Sequence, residues 1–154
     1  AGYGVYPLEF DGLVVVRDGL ILSEVWKMTE DSLAKIDKAT TRIAHEELAH
    51  RYLEEMWDEG NMETAEEILA DDFVDHYPRP GNGADKAGIM EDAASFAEIG
   101  LNNQLEELFV TDDAIAMRVT VTDPDGGTFE AAIFLGVEDG QITDRRVGLL
   151  GWCE

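Results

Sequence analysis

The clearest pattern lies between Arg51 and Pro78, which read RYLEEMWDEGNMETAEEILADDFVDHYP. Tyr52, Leu53, Met56 and Trp57 recur at helical spacing and predict one buried face, while Glu54, Glu55, Asp58 and Glu59 fall on the wet side. Gly60 is placed to end this helix and Asn61 to cap the next, whose inner stripe is Ala65, Ile68 and Leu69. Asp71-Asp72 then breaks the helix, Phe73 to Tyr77 is β-prone, and Pro78 and Pro80 stop the strand.

Upstream, Asp31 can cap a helix running to Asp58, with Leu33, Ile36, Ile43, Leu48 and Leu53 as its inner stripe and a break near Thr40-Thr41. Downstream, residues 84–99 predict a third helix with Ile89, Met90, Ala93, Phe96 and Ala97 inward. Strands follow at Leu105 to Val110, Ile115 to Thr122, Phe129 to Val137 and Ile142 to Leu150, separated by Asp- and Gly-rich turns. Helices gathered on one face of a curved antiparallel sheet make an α+β roll. The front of the chain, LVVVRDGLILSEVW at 13–26, predicts a β-hairpin folded at Asp18-Gly19. Its phrasing returns in FLGVEDGQITDRRV at 134–147, either as an added hairpin or as the remnant of a duplicated unit. The division expected is therefore residues 1–30 as a hairpin extension and 31–154 as the main domain.

The segments ADDFVDHYP, TDDAIAMRVTVTD and AAIFLGVEDGQITDRRV carry a resemblance to the SnoaL-like polyketide cyclases of the NTF2-like superfamily, over residues 42–150. The resemblance implies a cone-shaped α+β roll with about three helices, and a pocket on the concave side of the sheet. It fixes no reaction, because this fold hosts enzymes and non-enzymatic modules alike. In the cyclases an acid/base pair occupies the last two strands fourteen residues apart, which maps onto Glu130 and Asp144. A three-residue turn through Glu138-Asp139-Gly140 would put Glu130, Phe134, Asp144, Arg146 and Trp152 on one sheet face, whereas a two-residue turn would split Glu130 from Asp144. Where the cyclases commonly carry histidine this chain has Glu130. His76 stands where related ketosteroid isomerases carry a general base, and its alternative is a histidine satisfied by a backbone carbonyl. Limonene-type epoxide hydrolases resemble the chain less, since Val147 occupies their last-strand acid.

The expected catalytic set is Asp144, His76 and Glu130, with Arg118 and Arg146 as tuning cations or structural ion-pair partners. Tyr52, Trp57, Tyr77, Phe96, Met117, Phe134 and Trp152 are core aromatics and methionine or an apolar cavity wall. The function implied is cofactor-free acid/base chemistry on a small apolar carbonyl compound; the alternative is a non-catalytic ligand-binding or dimerising module. No metal is expected, as His45, His50 and His76 share no ligand spacing and Cys153 is the only cysteine. That lone cysteine also favours a reducing, cytoplasmic setting. A homodimer is expected through the outer sheet face, with Ile133, Leu135, Val147 and Leu149 forming an apolar strip opposite Asp144.

Charge adds one strong constraint. The formal net charge is −23, from 34 acidic and 11 basic residues, on a chain 45% apolar. Such a surface repels phosphate backbones and anionic lipid, so nucleic acid and membranes are excluded as expected partners. It suits concentrated salt, where repulsion is screened over a few ångströms. The melting temperature is accordingly expected to rise between about 0.1 M and 2 M potassium chloride, and a flat or falling trend in thermal unfolding would refute a repulsion-limited surface.

Overall fold

The computed structural model describes residues 30–153 and, before them, four two-residue strands; Ser32, Trp152 and Cys153 are described in backbone only. The chain divides into two compact units, Ala1–Thr41 and Arg42–Glu154. In the first, β1 (Phe10–Asp11) pairs antiparallel with β4 (Lys27–Met28), and β2 (Val16–Arg17) with β3 (Leu20–Ile21). The rest of the expected 13–26 hairpin lies outside the described residues.

Helix α1 (Glu30–His50) runs unbroken through Thr40-Thr41, where the Thr40 hydroxyl donates to the Ile36 carbonyl. Its expected inner stripe is only partly inside: Leu33, Ile36 and Ile43 are exposed, and burial begins at His45, Leu48 and Ala49. The helix changes geometry later than expected, widening into a π-helical segment, Arg51–Asp58. The reason lies in the side-chain spacing. Leu48-Ala49, Tyr52-Leu53 and Met56-Trp57 are buried pairs four residues apart, and in an α-helix each such step drifts about 40° around the axis. A wider turn slows the rotation and keeps successive pairs facing the core; the Glu59 N–H reaches back five residues to the Glu54 carbonyl at 3.0 Å.

Gly60, at φ +66°, ends this segment, and the Asn61 side chain caps α2 (Met62–Ile68) by accepting from the Glu63 and Thr64 amides. Strand β5 (Leu69–Asp75) begins earlier than the sequence suggests, because Asp71 and Asp72 point outward from a strand instead of ending it. Asp85 caps α3 (Lys86–Ile99), and Gly100 closes it in the left-handed conformation. Four strands complete the fold: β6 (Asn102–Val110), β7 (Ala114–Thr122), β8 (Thr128–Glu138) and β9 (Gln141–Cys153). Their order is β5-β9-β8-β7-β6, antiparallel except that β5 joins β9 in parallel. This is the α+β cone with three helices that the sequence predicts. No described helix is long and apolar enough to cross a membrane.

Alternation along β7 and β8 sorts the sheet's two faces. Ile115, Met117, Val119 and Val121, with Ala131, Ile133, Leu135 and Val137, are buried in one core with Tyr52, Met56, Trp57, Ile68, Phe73 and Ile89. The expected apolar strip of Ile133, Leu135, Val147 and Leu149 therefore lies on the inner face. Ile133 and Leu135 are core, while Val147 and Leu149 line a cavity.

The last hairpin turns in two residues, Asp139 and Gly140, both with positive φ, so that Glu138 faces Gln141. By itself this turn separates Glu130 from Asp144. A bulge intervenes, however: Val137 pairs with Ile142 but Gly136 with Asp144, leaving Thr143 over. The extra residue returns Asp144 and Arg146 to the face of Glu130 and Phe134, but this is the face away from the core. A second shift beyond Glu130 sets the Trp152 backbone opposite Phe129; the Trp152 side chain lies outside the described residues.

The edge strand β5 is held to β9 by three registered pairs, with an irregularity between Leu69 and Val74. An ion pair reinforces this short ladder from inside: Arg145 Nη1 donates to Asp75 Oδ2 at 2.8 Å, with side chains 10% and 2% exposed. Removing one partner strands the other charge in the core. Arg145→Met should cost about 3–5 kcal/mol in urea unfolding, and adding Asp75→Asn should recover part of it. A loss below about 1 kcal/mol would show that the pair does not hold the edge strand.

Candidate functional site

A cavity of about 360 Å³ opens between the π-helical segment, α3 and the inner face of β7, β8 and β9. This lies near the lower end of the range for small-molecule sites. Leu53, Phe96, Val119, Phe129, Ile133 and Val147 give it apolar walls. Trp57 anchors one side, meeting the Tyr52 ring edge-on at 6.0 Å and the Phe96 ring at 5.1 Å.

Polar groups gather at one end. The Arg145 guanidinium lies 4.9 Å over the Trp57 ring and is held by Asp75, whose second oxygen accepts from the Tyr77 amide at 3.0 Å. Asp92 on α3 is buried and ion-paired with Arg79, whose side chain is half exposed on the loop before the helix. Asn103 enters from β6, fixed by donating from both its backbone and side-chain nitrogens to Asp58. Burial raises the Asp58 carboxyl pKa, against the lowering effect of the Asn103 hydrogen bonds. Burial likewise raises the Tyr52 hydroxyl pKa, opposed by the nearby Arg145 charge. The Trp57 N–H lies close enough to favour the charged form of Tyr52, but the two atoms do not complete a hydrogen bond.

Of the residues expected at the site, Tyr52, Trp57 and Phe96 line the cavity, and Met117 is buried in the core on the same sheet face. Tyr77 and Phe134 are exposed. His76 and Asp144 do come together, with Nε2 and Oδ1 3.3 Å apart, and Arg146 joins them through an ion pair to Asp144 and a 3.0 Å contact to the His76 ring. The Asp144 carboxylate sits directly against Gly136, in the space a Cβ would need. This cluster is on the outer face, across the sheet from the cavity. Glu130 is on that face too, paired with Arg118, which also holds Glu107.

The correction is one residue in each strand. Arg145 lines the cavity and its partner Asp75 is buried on the same side of the sheet; His76, Asp144 and Arg146 are on the other side. The period-2 signal was present in the sequence, since Phe73 and Asp75 share a parity, as do Arg145 and Val147. Asp92 and Arg79 carried a weaker signal, a charged residue between the apolar Ile89 and Ala93 positions of α3 and a cation on a proline-glycine loop. Among the described residues, no three of His, Cys, Asp and Glu converge to hold a metal ion.

A family model for the SnoaL-like domain matches residues 49–145. Among solved structures, the chain is similar to a candidate polyketide cyclase from Bacillus cereus, at 26% identity and TM-score 0.61, covering 67% of this chain and 72% of that one. A candidate ketosteroid isomerase from Kribbella flavida shares the fold at 19% identity and TM-score 0.61, covering 77% of this chain and 83% of that one. An NTF2-like protein from Mesorhizobium loti does so at 19% identity and TM-score 0.60, with coverage of 70% and 92%. No curated protein matches significantly. The match spans well over half of the sequence, including the helix that bears Tyr52 and Trp57 and the strands that bear Asp75 and Arg145, and the chain belongs to the SnoaL-like domain family.

Proposed function

We propose that this protein is a cofactor-free cyclase- or isomerase-type enzyme that moves a proton on a small apolar carbonyl compound bound in the cavity. One observation carries the reading: Asp92 is a buried carboxylate lining an apolar cavity, and its ion-pair partner Arg79 is half exposed on a loop. Asp75 is a poorer base, because both its oxygens are already engaged. Asp92 would remove the proton beside the carbonyl and return it elsewhere on the carbon skeleton. The fixed charge of Arg145 would stabilise the enolate that forms in between.

The mutual pairing of Asp92 and Arg79 also favours a second reading, a ligand-binding module without turnover. Deuterium exchange separates them. Incubation with a panel of small cyclic and aryl ketones in D2O should give enzyme-dependent exchange at the α-carbon by NMR, slowed at least about 100-fold in Asp92→Asn. Exchange that survives Asp92→Asn removes Asp92 from the role, and binding without any exchange selects the module.

We also propose a homodimer formed through the outer sheet face. Phe109 and Phe134 are exposed there, and the face carries charges of both signs in Arg118, Glu107, Glu130, Asp144 and Arg146, so a second copy offers complementary partners. Light scattering should give twice the chain mass of about 17 kDa. The single-chain mass throughout the micromolar range and in molar salt would refute the dimer.

A further inference from the structure

The Arg79–Asp92 pair stands between the cavity and solvent. Both residues line the cavity, yet the Arg79 side chain is 49% exposed and that of Asp92 only 7%. One end of the pair is wet and the other is inside. The two ends are also held differently. Asp92 projects from the middle of α3, whereas Arg79 opens a β-turn, Arg79-Pro80-Gly81-Asn82, closed by the Asn82 N–H donating to the Arg79 carbonyl at 3.0 Å. Pro80 and the positive-φ Gly81 stand at its corners, as a type II turn requires. The loop is fixed beyond the turn as well, since the Ala84 carbonyl accepts from the Asp75 N–H at 2.8 Å and Asp85 caps α3. The backbone beneath Arg79 is therefore set, and the freedom that remains lies in its long side chain.

A carboxylate held by a guanidinium is a poor base, and a ligand does not reach Asp92 while Arg79 covers it. We propose that the Arg79 side chain is a gate, which closes the cavity over Asp92 at rest and swings into solvent to admit a small apolar ligand. With the ligand in place the carboxylate is unpaired and shielded from water, as proton abstraction requires. Arg79 is the partner that leaves, because its guanidinium regains hydration outside, whereas Asp92 is buried on a helix. Arg79 is thus a positioning residue that controls when the base is available. The gate rests on the reading of the cavity as a small-molecule site; the base role of Asp92 is tested separately by deuterium exchange. Leu149 offers a rival entrance, since it too lines the cavity and is 67% exposed.

The test follows a neutral fluorescent probe, N-phenyl-1-naphthylamine, by stopped flow with the unmodified protein, Arg79→Lys, Arg79→Gln and Asp92→Asn. If the pair is closed about nine-tenths of the time, freeing the entrance raises the competent fraction about tenfold. Association should therefore accelerate about tenfold in Arg79→Gln and in Asp92→Asn, and Kd should tighten by the same factor, with dissociation within about threefold. Arg79→Lys keeps the pair and should stay close to the unmodified protein. A residue that merely lined the cavity would behave oppositely, since its loss speeds dissociation and weakens binding; that result would overturn the gate. Association within about twofold of the unmodified protein in both pair-breaking variants would also overturn it and place entry past Leu149. Binding by those two variants alone would be the gate in its tightest form. Failure of all four proteins to bind the probe up to its solubility would overturn the small-molecule reading itself, and the gate with it.

Discussion

The Asp75–Arg145 pair is the interaction on which the polar end of this fold depends. Two charges taken out of water lose hydration that their mutual attraction alone does not restore. Here the loss is offset by added contacts: the Tyr77 amide donates to the free oxygen of Asp75, and the Trp57 ring lies beneath the guanidinium. The pair sits where the backbone ladder is weakest, at the parallel junction of β5 and β9 with its break between Leu69 and Val74. One interaction thus closes the sheet edge, orients Trp57 and fixes a cation at the wall of the cavity.

The surface and the interior obey different electrostatic rules. Over the whole chain acidic residues outnumber basic ones about three to one, and no such excess reaches the cavity, where each carboxylate meets an arginine. The long-range field repels anions in bulk solution. Local pairing leaves a nearly neutral chamber inside it. Such a division lets the surface adapt to its solvent without altering the electrostatics of the cavity.

Most of the architecture could be read from the sequence because it follows from spacing. The helical recurrence of Tyr52, Leu53, Met56 and Trp57, the cap at Asn61 and the glycine at 60 all took their expected roles. The cavity was legible only in part. Tyr52, Trp57 and Phe96, expected there for their apolar bulk, do line it, while the charged residues expected beside them stand one position away in each strand from the buried Asp75 and Arg145. On strands a single step exchanges inside for outside, and DHY and TDRRV each offer a charged residue of either parity. The deciding information lay in the apolar neighbours, Phe73 and Val147. The bulge at Thr143 had no such local sign, because an unpaired residue becomes evident only once both strands are registered. The exposed Leu33, Ile36 and Ile43 show the complementary limit, since amphipathic spacing identifies a face and leaves its burial open.

The π-helical segment from Arg51 to Asp58 has a consequence for how this pocket can change over evolutionary time. Removing one residue from a wide turn lets it relax into an ordinary α-helix without breaking its hydrogen-bond ladder. The residues beyond it keep their face, because the wide turn is what had absorbed the extra one. The same deletion in the α-helical stretch before Arg51 would instead swing every later side chain about 100° around the axis and carry Trp57 away from Arg145. The wide turn is thus the one place in this long helix where chain length can change without turning the aromatic residues out of the cavity.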